Sequence, residues 1–285
     1  MGLLGVLRTT YHNLDYQKNK IVNKALKSSG VTVVKRKPSV IVSLSTFPRR
    51  IIKVKIALEA LLHQSVKPDK IVVNLAKDEI TDVPNIVEEL AKYNRRGVEI
   101  RIVEDNLKQY NKLIPSLIEF PEDIIITADD DVLYTKRFIE GLYRVHERDH
   151  EAIVAYRYSY MMKQNEKNMY PYNEWPEASG PNLNNANMFF CGVGGVLYPP
   201  VSLHGEVLNN GLFMSLCPTA DDIWFNAMAL LKGSRKRMAT DKSMEFPSIG
   251  NVQENSLYEV NVVQGKNDMQ IKNVFDHFGI YQYLK

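Results

Sequence analysis

The chain has few of the features that mark disulfide-rich, membrane-spanning or phosphate-loop proteins. It contains only two cysteines, Cys191 and Cys217, among 285 residues. Two cysteines are too few for a disulfide scaffold and do not have the spacing of a metal site. The sequence has no run of about 20 apolar residues, the length that a transmembrane helix needs, and no G-x-x-x-x-G-K-[ST] phosphate loop. These absences, with 45% hydrophobic and 24% charged residues, predict a globular protein of the reducing cytoplasm.

Negative charge is scarce at the start of the chain. Residues 1–38 contain eight Lys or Arg and one acid, whereas the remaining 247 residues contain 28 basic and 32 acidic side chains. The body is therefore mildly acidic, which argues against nucleic acid as a partner. The apolar residues 1–7 followed by spaced lysines are compatible with peripheral contact to the inner face of the cell membrane. A solvated helical lead-in packed on the body accounts for them as well, and both interpretations stay open.

Apolar β-branched runs alternate with amphipathic segments in the first half of the chain. The runs cover residues 40–44, 71–75, 98–103 and 124–127, and they start 31, 27 and 26 residues apart. Strands separated by helical stretches of this length are typical of βαβ units. We therefore predict an α/β fold with a mostly parallel central sheet that is flanked by helices.

The second half of the chain has a weaker pattern. Residues 156–190 contain five tyrosines and seven asparagines and follow neither a helical nor a strand period. Order resumes in a glycine-rich run at 192–198 and in predicted helices over 220–231 and 268–278. No linker is recognisable, so we expect a single domain over residues 39–285 that follows a basic N-terminal extension.

Three consecutive aspartates, Asp129, Asp130 and Asp131, follow the most apolar run. In parallel sheets, ligands bind outside the carboxyl ends of the strands. Adjacent like charges repel each other, so such a cluster is stable only when it is solvated or bound to a cation. Mg2+ and Mn2+ prefer carboxylate oxygens, often together with phosphate. The triplet therefore predicts a divalent metal site, and an exposed acidic turn ahead of a helix near Thr135 is the alternative.

A set of further motifs accompanies this triplet. Residues 43–50 read Ser-Leu-Ser-Thr-Phe-Pro-Arg-Arg, residues 67–71 read Lys-Pro-Asp-Lys-Ile, and a second acidic pair follows at Asp221 and Asp222. In this order the motifs resemble the bacterial polysaccharide-type glycosyltransferases of the GT-A fold, over residues 39–230. The resemblance implies a Rossmann-like sheet in one domain, with a nucleotide-binding half at 39–135 and an acceptor-binding half at 136–285.

The resemblance also implies a metal site. Asp129 and Asp131 stand where the family has the two outer carboxylates of its Asp-X-Asp motif, so both are candidate ligands of Mn2+ or Mg2+. Asp129 is also placed to contact the ribose or a metal-bound water. Asp130 makes this register ambiguous by one position and is retained as a nucleotide contact. His277 is the candidate third metal ligand, and a buried core histidine is its alternative role.

Further donor contacts follow from the same resemblance. The first strand-to-helix turn is where the family holds the nucleobase and the ribose, and Asp105 and Lys112 precede the acidic strand. Asp105 corresponds to a base contact and Lys112 to a diphosphate contact, although a solvated surface position explains Lys112 and Arg49 equally well. The residues of the turn are Thr46, Phe47, Pro48 and Arg49.

The second acidic motif opens a predicted helix. It resembles the family's X-Glu-Asp element, which implies that Asp222 is the catalytic base and that Asp221 occupies the glutamate position with a shorter side chain. Acids are also favoured in the first turn of any helix because they face its positive end. The glycines of residues 192–195 precede this motif, and glycine lets a backbone approach a ligand closely. A strand with bulges is the competing explanation for them.

Together the motifs predict a metal-dependent enzyme that transfers a sugar from a nucleoside diphosphate sugar, with a UDP-sugar as the best match. The acceptor would be a hydroxyl group of a glycan or a lipid-linked glycan, the reaction would invert the anomeric carbon, and the pathway would be bacterial surface polysaccharide synthesis. The Tyr- and Asn-rich segment would offer aromatic faces to the acceptor. A non-catalytic carbohydrate-binding protein on the same fold and a metal-dependent nucleotidyltransferase are the alternatives.

Overall fold

The computed structural model describes residues 29–81, 85–178, 185–250, 261–262 and 265–285. Most of the basic extension, residues 1–28, lies outside the described residues. The strands are β1 Val40–Ser45, β2 Lys70–Ala76, β3 Val98–Val103, β4 Ile124–Thr127, β5 Ile153–Ala155, β6 Tyr158–Tyr160, β7 Lys163–Asn165, β8 Asn168–Met169, β9 Met188–Phe190, β10 Val196–Tyr198 and β11 Lys236–Met238. The α-helices are α1 Ile51–Leu61, α2 Lys77–Ile80, α3 Asn85–Ala91, α4 Ile114–Glu119, α5 Phe138–His146, α6 Asn210–Leu216, α7 Asp221–Lys232 and α8 Lys266–Phe278.

A seven-stranded sheet in the order β11-β5-β10-β4-β1-β2-β3 forms the centre. The four apolar runs of the first half become the adjacent parallel strands β4, β1, β2 and β3. The strand β10 is antiparallel to both of its neighbours, β4 and β5. The predicted α/β fold with a mostly parallel sheet is therefore confirmed, and no helix within the described residues is long and apolar enough to cross a membrane.

Alternate residues of the central strands enter two different cores. Val40 and Val42 of β1 pack in one core, which also contains residues of α1 and α5, whereas Ile41 packs in the other core with residues of α7 and α8. The strand β4 behaves in the same way, with Ile125 on the opposite face from Ile124. A strand buried on both faces reads as a continuous apolar run, which explains the absence of alternation in this part of the sequence.

The chain reverses its direction across the sheet between β1 and β4. It builds β1, β2 and β3 towards one edge and then returns to place β4 on the other side of β1. The segments that follow β1 and β4 diverge at such a point and leave a crevice in which α/β proteins bind ligands. The residues at this crevice are Thr46, after β1, and the three aspartates after β4.

Polar side chains replace apolar ones near the carboxyl ends of β1 and β2. Ser43 Oγ lies 2.7 Å from Ser116 Oγ, and Asn74 Nδ2 donates to the carbonyl oxygen of Asn111 at 2.8 Å. All four residues are buried. Buried polar groups are stable only when they are hydrogen-bonded. The bond to Asn111 fixes the 3-10 helix Lys108–Lys112 against the sheet, and the bond to Ser116 fixes α4.

The Tyr- and Asn-rich segment contains short strands where the sequence showed no period. Strand β6 pairs with β9, and β7 pairs with β8. Tyr156, Tyr158 and Trp175 are buried, so they build the core and do not offer aromatic faces to a ligand. The prediction of an acceptor platform is wrong for these three side chains. Tyr160, Tyr170 and Tyr172 of this segment keep some exposure.

Candidate active site

The turn after β4 places its three aspartates in different environments. Asp130 is buried, with 5% of its side chain exposed. Thr46 Oγ1 donates to Asp130 Oδ2 at 2.6 Å, and Arg50 Nη1 donates to Oδ1 at 2.6 Å. Burial raises the pKa of Asp130 to about 6, although Arg50 and Thr46 stabilise its charged form. Both carboxylate oxygens are thus hydrogen-bonded within the protein, and the role of Asp130 as a nucleotide contact stays a prediction.

The two outer aspartates are more accessible. The Asp131 side chain is 28% exposed, and its Oδ2 lies 3.1 Å from Arg50 Nη1. The Asp129 side chain is 18% exposed, and its Oδ1 lies 3.3 Å from Lys112 Nζ. Burial raises the pKa of Asp129, Lys112 opposes the rise, and the charge of Asp131 adds to it. Asp129 Oδ2 is buried and has no hydrogen-bond partner among the described residues, so this oxygen can accept an incoming ligand.

Lys112 joins the two acidic motifs. Its Nζ lies 3.3 Å from Asp129 Oδ1 and 3.1 Å from Asp221 Oδ2, and only 11% of the side chain is exposed. Burial by itself disfavours the charged ammonium, but the carboxylates of Asp129, Asp221 and Asp222 together hold the pKa of Lys112 well above its usual value. A permanent positive charge therefore lies between two acidic segments that are far apart in the sequence.

The second acidic motif begins helix α7 at Asp221, one residue after the predicted start at residue 220. Gln270 of α8 holds the preceding segment, because its Oε1 accepts from the backbone N–H of Thr219 at 2.9 Å. Burial and the neighbouring Asp221 raise the pKa of Asp222 to about 7, against the opposing effects of Lys112 and of a hydrogen bond from the Gly192 backbone. A carboxylate with this pKa is suited to general base catalysis near neutral pH.

Gly192 lies against both Asp222 and Lys112. A Cβ atom at this position would be 2.6 Å from Asp222 Oδ1 and 2.9 Å from Lys112 Nζ, so a larger residue would displace them. The adjacent Cys191 is buried, and burial raises the pKa of its thiol to about 12. A thiol in this environment behaves as a small apolar group and not as a nucleophile.

The turn after β1 reaches the acidic residues through Arg50. Phe47 and Pro48 are partly buried, while Arg49 is exposed. The Arg50 guanidinium lies 5.2 Å from the centre of the Phe47 ring and contacts Asp130 and Asp131. Sequence reasoning chose Arg49 and missed Arg50. Three adjacent carboxylates need a counterion, and the turn after β1 contains two successive arginines. This need is the signal that could have pointed to Arg50 as well as to Arg49.

Two candidate residues do not join this group. Asp105 is exposed after β3, and the sheet order places β1 and β2 between β3 and β4. His277 is exposed near the end of α8 with its ring against Phe278. Among the residues that the structure describes, no three His, Cys, Asp or Glu side chains are close enough to hold a metal ion. The role of His277 as a third metal ligand stays a prediction.

Asp129 and Asp131 still fit a divalent ion that is held partly by the protein and partly by a substrate. Mg2+ and similar ions are usually held by one or two carboxylates together with the phosphates of a substrate, and not by a complete protein cage. Asp129, with its unpartnered oxygen, and the partly exposed Asp131 provide two such carboxylates. The turn thus provides the number of carboxylates that a protein usually contributes to a metal ion bound together with a diphosphate.

A segment from the second half of the chain crosses the acidic turn. The backbone N–H of Ile249 donates to the carbonyl oxygen of Asp131 at 2.6 Å, and that of Leu133 donates to Pro247 at 2.8 Å. Phe246 packs against Tyr134 in the same region. These contacts fix the backbone of the turn from the side opposite β4, and no sequence motif predicted them.

Solved structures with bound nucleotide sugars have a fold similar to that of this chain. Among solved structures, S. aureus TarS 1-349 in complex with UDP-GlcNAc matches with a TM-score of 0.53 and 14% identity, over 85% of this chain and 66% of that chain. The mannosyltransferase PcManGT from Pyrobaculum calidifontis in complex with GDP-Man and Mn2+ matches with a TM-score of 0.50 and 12% identity, over 98% and 82% of the two chains.

The comparisons establish the fold, and the chemistry has to be inferred from the residues of this chain. Across the TarS structures that it matches, the chain spans 59 to 66% of their length. No protein-family model matches the sequence, and no curated protein matches it at a significant level. At 12 to 14% identity, a shared fold supports many different activities.

Proposed function

We propose that this protein transfers a sugar from a nucleoside diphosphate sugar to a hydroxyl group of a glycan or a lipid-linked glycan. The observation that carries the proposal is the position of Lys112, which contacts Asp129 of one acidic motif and Asp221 of the other at the carboxyl ends of the sheet. The nucleotide sugars bound to TarS and to the mannosyltransferase support a donor of this class.

On the donor side, Asp129 and Asp131 would hold Mn2+ or Mg2+ together with the diphosphate of a UDP-sugar. When bound, the ion stabilises the negative charge that develops on the departing diphosphate. The Mn2+ in the mannosyltransferase structure supports a metal. Lys112 adds a second positive charge toward the diphosphate. The nucleoside would contact the remaining candidates, Thr46, Phe47, Pro48, Arg49 and Asp105.

On the acceptor side, Asp222 is the base. Its carboxylate removes the proton of the acceptor hydroxyl as the hydroxyl oxygen forms a bond to the anomeric carbon and the bond from that carbon to the diphosphate breaks. One base and one leaving-group site on opposite sides of the anomeric carbon give inversion in a single displacement. Asp221 keeps Lys112 close to this base through their ion pair.

The proposal extends to the organisation of the chain. Residues 39–135 form the half that binds the donor, and residues 136–285 form the half that binds the acceptor. The basic residues 1–38 would contact the inner face of a bacterial cell membrane from the cytoplasm. A lipid-linked glycan at that surface would make surface polysaccharide synthesis the pathway. These extensions depend on the sequence resemblance and on the charge distribution.

Thermal denaturation with Mn2+ and a panel of nucleotide sugars tests the proposal. A ligand at a hundred times its dissociation constant stabilises the folded protein by about 2.7 kcal/mol, so one nucleotide family should raise the melting temperature of the wild type in the presence of metal. Asp131→Ala should lose this rise, while the exposed control Asp241→Ala should retain it. An equal rise in Asp131→Ala would refute the metal assignment, and release of pyrophosphate during turnover would indicate a nucleotidyltransferase.

A further inference from the structure

Arg50 contacts two of the three aspartates at once. Its Nη1 lies 2.6 Å from Asp130 Oδ1 and 3.1 Å from Asp131 Oδ2. Asp130 is buried and also bound by Thr46, so its pairing with Arg50 is part of the folded turn. Asp131 is the more exposed of the two carboxylates, and the contact that it makes with Arg50 is the longer one. The Asp131 contact is therefore the one that can exchange.

The guanidinium of Arg50 keeps an unused donor. Its Nε is buried and has no hydrogen-bond partner in the part of the chain that the structure describes, while the side chain as a whole is 25% exposed. The group also lies over the ring of Phe47, which limits its movement to the region between the turns after β1 and β4. An arginine has five N–H donors in a planar fork and binds phosphate oxygens in pairs, so an anion beside Asp131 would find a donor already in place.

The other outer aspartate is paired in a similar way. Lys112 Nζ lies 3.3 Å from Asp129 Oδ1. Each of the two candidate metal ligands thus has a cation of the protein at hydrogen-bonding or ion-pairing distance. A divalent ion that arrives alone meets carboxylates whose charge is already compensated, and it is repelled by the two cations as well. An ion that arrives with a diphosphate brings negative charge to which these cations can transfer.

We propose that Arg50 is an internal counterion that occupies Asp131 in the donor-free protein and transfers to the diphosphate when donor and metal bind together. The affinity for the metal is then coupled to nucleotide binding. The anion draws Arg50 away from Asp131, and the ion takes the place of Arg50 beside this carboxylate. The inference rests on the proposed function for the identity of the anion. It assigns Arg50 a positioning role towards Asp131 and no part in the transfer of the sugar itself.

Mn2+ binding measured by the electron paramagnetic resonance signal of the free ion tests this inference on the full chain. Without nucleotide, Arg50→Gln should bind Mn2+ about tenfold more tightly than the wild type, which corresponds to about 1.4 kcal/mol. With saturating UDP, the same variant should bind Mn2+ more weakly than the wild type. The control Arg95→Gln removes the same charge from an exposed residue at the opposite, amino end of β3, and it should change neither affinity.

An Arg50→Gln variant whose affinity for Mn2+ alone equals that of Arg95→Gln, or falls below the wild type, would overturn the inference. Wild-type protein that binds no UDP with Mn2+ would instead refute the proposed donor, and the metal-only comparison would still decide the role of Arg50. Because Arg50→Gln removes a partner of the buried Asp130, the melting temperature of each variant is measured first. If Arg50→Gln does not fold, Arg50→Lys, which cannot span both carboxylates in the same way, is tested by the same criterion.

Discussion

The acidic turn after β4 and the acidic start of α7 have similar sequences and opposite electrostatics. In the turn, Arg50 and Lys112 lie close to all three carboxylates, at 2.6 to 3.3 Å. At the start of α7, Lys112 pairs with Asp221, and Asp222 has burial and a neighbouring charge that raise its pKa to about 7. In the first region each carboxylate has a cation of the protein within ion-pairing distance, whereas in the second region the ammonium of Lys112 pairs with Asp221 and Asp222 has the highest of these raised pKa values.

The contrast shows that the role of a carboxylate here depends on its counterions and not on its motif. A close cation stabilises the charged form of a carboxylate, as Arg50 does for Asp130 and Lys112 for Asp129, although burial raises the pKa of both aspartates. A buried carboxylate without its own cation has a raised pKa, so it can take up a proton near neutral pH. Lys112 belongs to both regions, and the contrast therefore depends on where this one ammonium lies.

Removal of the proton acceptor tests the second region and should have the largest effect. We expect Asp222→Asn to lower the rate of sugar transfer by on the order of a hundredfold or more, because an amide cannot accept the proton. Binding of the donor should remain, since Asp222 is not among the donor contacts. Transfer assays with thermal shifts by nucleotide and metal measure both properties, and the exposed Asp241→Asn serves as control. Full turnover in Asp222→Asn would remove the assignment of the base.

Separation of Lys112 from Asp222 tests the link between the regions. In Gly192→Ala the new Cβ would lie within 3 Å of both side chains, so they must move. Small displacements of reacting groups reduce rates by up to about a hundredfold, and we expect a loss of about ten- to hundredfold in transfer. The control is Gly205→Ala, where the structure has no atom within 4 Å of the added Cβ. Equal activity of the two variants would show that the close approach at Gly192 has no functional role.

The pH dependence of transfer should show the smallest of these effects. Asp222 must be deprotonated to act as a base, and its folded-state pKa of about 7 means that activity rises with pH through this value. One pH unit below the midpoint, kcat/KM should be about tenfold lower than at the plateau. A profile that is flat between pH 5.5 and 8, or that falls with increasing pH, would contradict the assignment of the base.

The local pattern of the sequence was enough to predict much of the fold. The runs at 40–44, 71–75, 98–103 and 124–127 become β1 to β4, and the helices predicted over 220–231 and 268–278 are observed with ends shifted by one or two residues. These elements were predictable because a strand buried on both faces and an amphipathic helix each have a periodicity that neighbouring residues alone determine. The antiparallel direction of β10 was not predictable, because glycines permit either direction.

Some residues of the site could also be predicted from the sequence. The aspartate triplet was predicted from its position after an apolar run, and the resemblance to the glycosyltransferase family singled out Lys112, Asp221 and Asp222. The structure places three carboxylates, those of Asp129, Asp221 and Asp222, around Lys112, with Asp131 close to Asp129. Their catalytic and metal-binding roles stay predictions. The exposure of the buried aromatic residues was misjudged, and so was the alternative of a buried core role for the exposed His277, because a side chain's exposure depends on residues that pack on it from elsewhere in the chain.

The sequence by itself determined that this chain folds around a mostly parallel sheet, that one acidic segment follows an apolar strand and that the other begins a helix. The tertiary structure alone decided which arginine reaches the aspartates, which of the five carboxylates lacks a cation of its own and which glycine must stay small. The physical reason is that hydrophobic periodicity is a local property, whereas burial and ion pairing arise only when distant segments meet, and at short range these two effects set the charge of every group in the site.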